Sequence, residues 1–108
     1  MAPRIVLLAA LTVALPAAAA EDVASFAIDL HDGAITPERL AVPANQPFKL
    51  EISNTGSSPA EFESLSLHKE KVLSAGVTSG MVIRRLAPGE YDFFDDFHPG
   101  SKAVLEAR

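Results

Sequence analysis

The chain has 108 residues, with nine Lys and Arg against fourteen Asp and Glu, a formal net charge of −5. That balance excludes nucleic acid and anionic lipid as partners, since both select clustered positive charge. No cysteine occurs, which excludes disulfides, thiol nucleophiles, zinc knuckles and iron–sulfur clusters and leaves packing, or a metal, to stabilise the domain.

At the N-terminus, Arg4 precedes an apolar run from Ile5 to Leu15 in which Thr12 is the only polar side chain. Pro16 breaks the run, and Ala17 to Ala20 supply the small residues that a cut before Glu21 requires. A membrane-spanning helix needs ~20 apolar residues, so residues 1–20 read as a cleaved signal peptide rather than an anchor. Residues 21–108 are then a single exported domain, expected in a bacterial periplasm, with eight basic residues against fourteen acidic ones. Without a lipobox cysteine, no lipid anchor is expected.

Phe26, Ile28 and Leu30 alternate with Ala27, Asp29 and His31, and Phe48, Leu50 and Ile52 alternate with Lys49, Glu51 and Ser53. This period of two marks half-buried strands. Between them, Asp32-Gly33 signals a turn, and Pro37 and Pro43 suit strand ends or an edge. Residues 54–60, NTGSSPA, form a loop by composition. In the following EFESLSL, Phe62 shares a face with Ser64, and Glu61 shares the other with Glu63 and Leu65. HKEKV, residues 68–72, is expected to form at most one helical turn, closed off by Ser74 and Gly76. Val77 to Leu86 reads as a strand, and Pro88-Gly89 as a type II turn joining it in a hairpin to the strand that carries Tyr91 and Phe93. A last strand from Lys102 to Glu106 follows Pro99-Gly100. Short strands at this spacing, with no segment of helical periodicity, predict an all-β antiparallel sandwich with little helix.

Laid out in this order, ITPERLAVPANQPFKLEISNTG, EFESLSLHKEKV and LAPGEYDFFDDFHPGSKAVL resemble the cupredoxin-like family, and within it a periplasmic subgroup associated with bacterial iron-permease systems. The resemblance implies a Greek-key β-sandwich, and partners among an iron permease and other periplasmic iron-uptake proteins. Copper-binding members take one histidine from a mid-chain loop, and a cysteine, a second histidine and often a methionine from the loop before the last strand. Here the mid-chain position falls near Glu61 to Ser64, and the last loop is Asp95 to Ser101. Only His98 remains as a familiar ligand type, and without a thiolate a type 1 blue copper site cannot form.

What remains is a carboxylate-rich pole, with Glu61 and Glu63 on one face of one segment and Asp96 and His98 on one face of another if both are extended. Imidazole with carboxylates suits Cu(II), Fe or Zn, so copper is the expected metal and iron the alternative, as metal or as substrate. The competing reading treats Asp95 and Asp96 as a solvated turn and Glu61 and Glu63 as the wet side of an edge strand. His68 stands beside Lys69 and Lys71, an unfavourable setting for a cation. His31 is expected at a different part of the sandwich, and Met81 in the core. No nucleophile elbow or phosphate-binding glycine loop is present, so any enzymatic role would be redox, such as ferrous iron oxidation. The functional expectation is a metal-binding accessory of ferrous iron uptake. The rival is a metal-free module that docks on a partner through its acidic pole.

Overall fold

A computed structural model describes residues 2–14 and 23–108. Residues 2–14 carry neither helix nor strand, and Ile5, Leu7, Leu8 and Leu11 stand exposed. The expected cleavage point before Glu21 lies outside the described residues.

Nine strands follow in order: β1 Ser25–His31, β2 Ala34–Thr36, β3 Arg39–Val42, β4 Phe48–Asn54, β5 Ala60–Ser64, β6 Lys69–Leu73, β7 Thr78–Ile83, β8 Gly89–Asp95 and β9 Ala103–Ala107. They form two sheets, β2-β1-β4-β7 and β3-β9-β8-β5-β6, and no helix occurs among the described residues. The fold is an all-β sandwich. Most strand pairs are antiparallel, as expected, but β1 with β4 and β3 with β9 run parallel. Both sheets are therefore mixed.

The core lies between the sheets and is built by the alternation seen in sequence. Leu30, Phe48, Leu50, Ile52, Phe62, Phe93 and Leu105 have no exposed surface, each burial being worth about 1.5–3 kcal/mol. Phe62 and Phe93 meet across β5 and β8 with ring centroids 5.3 Å apart. Met81 packs against this core from β7.

Two local expectations are corrected. HKEKV is not a helical turn: residues 69–73 pair with β5, Glu63 opposite Glu70 and Phe62 opposite Lys71. The backbone bonds that β5 offers outweigh the weak helical preference of five residues, too few to nucleate a helix. Pro88-Gly89 does not close a hairpin either, because β7 and β8 belong to different sheets. The segment crosses between layers, and Gly89 sits at φ 155°, far from the roughly +80° of a type II turn. The Tyr91 hydroxyl donates to the Ala87 carbonyl at 2.8 Å and ties this crossing to β8.

Candidate functional site

Glu61 and Glu63 lie on the outer face of the second sheet, because the buried positions of β5 are Ala60, Phe62 and Ser64. Register sets Glu70 of β6 opposite Glu63, so one carboxylate oxygen from each of Glu61, Glu63 and Glu70 falls within 4.8 Å of the others. Partial burial raises the Glu61 carboxyl above its ordinary value, and the charges of Asp96, Glu63 and Glu70 push it further. Glu63 is raised by partial burial, then by Asp96 and Glu70. Four carboxyl groups therefore crowd one patch, an arrangement that a bound cation would relieve. Glu63 and Glu70 also line a hollow of about 250 Å³ together with His68 and Lys69.

His98 is not part of this group. The expectation that Asp96 and His98 share a face requires extended backbone, whereas residues 96–100 form turns. The amide of His98 donates to the Asp95 carbonyl at 3.1 Å and that of Ser101 to the His98 carbonyl at 3.2 Å. Turning sends Asp96 towards the glutamates and His98 inward. The Cβ of His98 lies only 3.3 Å from where a Cβ on Gly33 would be, in the β1–β2 turn.

Asp95 holds His98 in place. Its side chain is buried in the core-facing register of β8, and its Oδ1 accepts from the amides of Glu61 at 3.0 Å and Phe97 at 3.1 Å. Its Oδ2 lies 2.7 Å from His98 Nδ1. A carboxylate only accepts, so Nδ1 carries the proton and, in the neutral ring, Nε2 accepts from the Ser58 hydroxyl at 3.2 Å. Ser58 is positioned by buried Asn54, whose amide donates to the Ser58 and Leu73 carbonyls at 2.9 and 3.0 Å. Ser101 closes the other side, its hydroxyl accepting from the Asp95 amide at 2.9 Å and donating to the Asp95 carbonyl at 3.0 Å.

Ser58, His98 and Asp95 have the connectivity of a hydrolytic triad, but the two backbone amides that precede Ser58 are spent. The Gly56 amide goes to Asn54 Oδ1 and the Ser57 amide to Asp32 Oδ1, so neither is free to stabilise an oxyanion at Ser58. The network instead pins three loops at one end of the sandwich.

His31 belongs to that end, contrary to expectation. Its Nδ1 lies 3.0 Å from Thr55 Oγ1, and its Nε2 lies 3.7 Å from Asp32 Oδ2. Asp32 is held below the ordinary carboxylate range, chiefly by the Ser57 amide, with smaller contributions from the Ser57 hydroxyl and the charges of His31 and His98. The last loop thus meets two segments: Ser58, from residues 55–59, at the His98 imidazole, and Glu61, whose amide reaches Asp95 and whose carbonyl accepts from the Asp96 amide at 2.9 Å.

The expected single site therefore divides in two. Glu61, Glu63 and Asp96 gather on the outer face, joined by Glu70. His98 belongs to a closed hydrogen-bonded network with Asp95 and Ser58. Sequence reasoning missed Glu70 because its neighbours suggested a helical turn, and Ser58 because nothing in a polar loop marks one serine.

A cupredoxin-like domain model matches residues 4–105. The chain belongs to the cupredoxin-like family. It is 34% identical over 71 residues to an uncharacterized protein of Rickettsia prowazekii (strain Madrid E), a match covering 66% of this chain and 57% of that one; the chain thus spans little more than half of that relative. Among solved structures it resembles reduced auracyanin from Roseiflexus castenholzii, with TM-score 0.67, 16% identity, and 78% and 96% of the two chains covered. It also resembles a purple cupredoxin from Nitrosopumilus maritimus, with TM-score 0.60, 16% identity, and 76% and 98% covered. A third neighbour is the metal-binding domain of the Streptococcus pneumoniae D39 Cu(I)-exporting P-type ATPase, solved with Cu(I), with TM-score 0.65, 11% identity, and 78% and 84% covered. At these identities the neighbours share the fold. Type 1 copper does not fit this member: the chain has no cysteine, the position at the start of the last loop is a buried carboxylate already bonded to two amides and an imidazole, and the short Cu–thiolate bond has no donor.

Proposed function

We propose that this cupredoxin-like domain is an exported, periplasmic metal-binding accessory of ferrous iron uptake that takes iron as cargo on the carboxylates of Glu61, Glu63 and Glu70, with Asp96 beside them. The observation that carries this reading is the convergence of three carboxylate oxygens within 4.8 Å. An all-oxygen donor set of this kind suits hard divalent ions and lacks the imidazole and thiolate that favour copper. Export rests on the N-terminal segment, whose apolar residues the sandwich leaves unburied. The partner is an iron permease or a second periplasmic iron protein, as the subgroup resemblance implies. Titration of Fe(II), under exclusion of oxygen, into the wild type and Glu63→Gln tests the reading. The wild type is expected to bind one equivalent and the variant to bind more than about tenfold more weakly.

Docking of the acidic face on a partner is favoured by a second observation. Beside the glutamates the same outer face holds a hollow of about 740 Å³ with an apolar floor that includes Phe94 and Val104 and a rim of Glu38, Glu90 and Asp92 with Arg39 and Lys102. An apolar floor with a mixed-charge rim, next to the Glu61–Glu63–Glu70 patch, fits a protein surface that sets basic groups against the glutamates. If no metal binds and a basic partner does, this second reading replaces the first.

A further inference from the structure

The two sheets have four edge strands, β2, β7, β3 and β6, and an open edge is a template for another strand unless it is blocked. Three are blocked. β2 has only three residues and runs into Pro37. β3 has four, is followed by Pro43, and carries Arg39, bound to Glu90 at 2.8 Å and Glu106 at 3.1 Å. β6 carries Lys69, Glu70 and Lys71, and its register sets both lysines opposite the inward-facing Ser64 and Phe62, a charge placement that resists strand addition. β7 is different. Thr78–Ile83 has six residues without a charge or a proline, and Val82 on it and Val77 before it are 59% and 43% exposed.

The backbone groups that β7 presents follow from its pairing with β4. The Asn54 amide donates to the Val77 carbonyl at 2.9 Å. In an antiparallel ladder the bonded residues recur every second position, so Ser79, Met81 and Ile83 bond to β4, opposite Ile52, Leu50 and Phe48. Thr78, Gly80 and Val82 direct their amides and carbonyls to the open side. Among the described residues none of these groups has a partner beyond the sheet's own ladder.

Three outward residues centred on a glycine make a self-complementary edge. A second copy related by a two-fold axis through Gly80 sets Gly80 opposite Gly80 of the partner copy, and Thr78 opposite its Val82. Directly opposed residues then share a face, and all three pairs are hydrogen-bonded ones. The stem of Lys49 lies over Gly80, its Cε 2.7 Å from where a Cβ would be, so a larger residue there would displace it from the axis. Glu51 lies 3.6 Å from the Lys49 ammonium and offsets the like charges that the axis would bring together.

We propose that the β7 edge is a homodimer interface, through which two copies join their four-stranded sheets into one eight-stranded sheet. The contact is mostly backbone with little side-chain area, so the dimer belongs to the weak, transient class of interface. It leaves the Glu61–Glu63–Glu70 face, on the other sheet, open in both copies.

The test uses the chain from Glu21 onwards, which contains all nine strands. Sedimentation equilibrium up to roughly 1 mM, the weak end of the affinity range, is expected to show a monomer–dimer equilibrium. Amide exchange at Thr78, Gly80 and Val82 should slow as concentration rises. Val82→Lys, at an exposed position, and Gly80→Pro, where the lost N–H faces away from β4, should each weaken the dimer more than about tenfold while keeping the β-sheet circular dichroism. A monomer throughout the concentration range overturns the proposal, as does a dimer that survives both substitutions. Association that appears only when residues 1–20 are present overturns it too, since the N-terminal segment would then be the strand that pairs with β7.

Discussion

Asp95 shows how one side chain can organise an end of the sandwich. Its two oxygens serve the amides of Glu61 and Phe97 and the imidazole of His98, and its position in the buried register of β8 leaves no water to replace them. Asp95→Ala should destabilise the domain by about 2–4 kcal/mol, the penalty for stranding buried donors, read from urea unfolding. The glutamates oppose stability instead. Because Glu61 and Glu63 are held above their ordinary values, the folded state binds their protons more tightly than the unfolded state does. The stability this contributes is present at low pH and lost as pH rises through the raised values. Asp32, held low by the Ser57 amide, acts with the opposite sign, its contribution being lost as pH falls. In the metal-free protein, Glu63→Gln should therefore raise the urea midpoint at neutral pH and flatten its decline as pH rises above the ordinary glutamate value of ~4.3. A lower midpoint with an unchanged slope would mean that the carboxylates do not repel one another.

Strands that pack one face on the core were legible and those held by pairing alone were not. β1 and β4 announce themselves through Phe26-Ile28-Leu30 and Phe48-Leu50-Ile52, because burial imposes a period of two. β6 has only Leu73 buried, and its strand form depends on β5, which no local pattern reveals. The same limit applies to the site. Glu61 and Glu63 were placed on one face because β5 is regular, whereas His98 was misplaced because turn backbone after Asp95 breaks the alternation on which the inference rested. Gly33 belongs to this scale too: at φ 92°, with His98 Cβ 3.3 Å from a virtual Cβ, it lets the β1–β2 turn close against the last loop. Gly33→Ala should cost about 1–3 kcal/mol through backbone strain and should quicken amide exchange at His98 and Ser101. An unchanged exchange pattern would show that the two loops are held independently.

For the whole molecule, the family resemblance and the sandwich were readable from motif order, while the allocation of acidic residues to one outer face needed the register of five strands. On the proposed function that allocation separates two jobs: the interior and the Asp95–His98–Ser58 network hold the fold, and the outer carboxylates take the cation. The most direct test of this division is calorimetric titration of Fe(II), without oxygen, into the wild type, Glu63→Gln and His98→Ala. One site is expected in the wild type, weakened more than about tenfold in Glu63→Gln and nearly unchanged in His98→Ala, which should lose stability instead. Absence of binding to the wild type, or a loss of binding in His98→Ala that Glu63→Gln does not share, would contradict the carboxylate site.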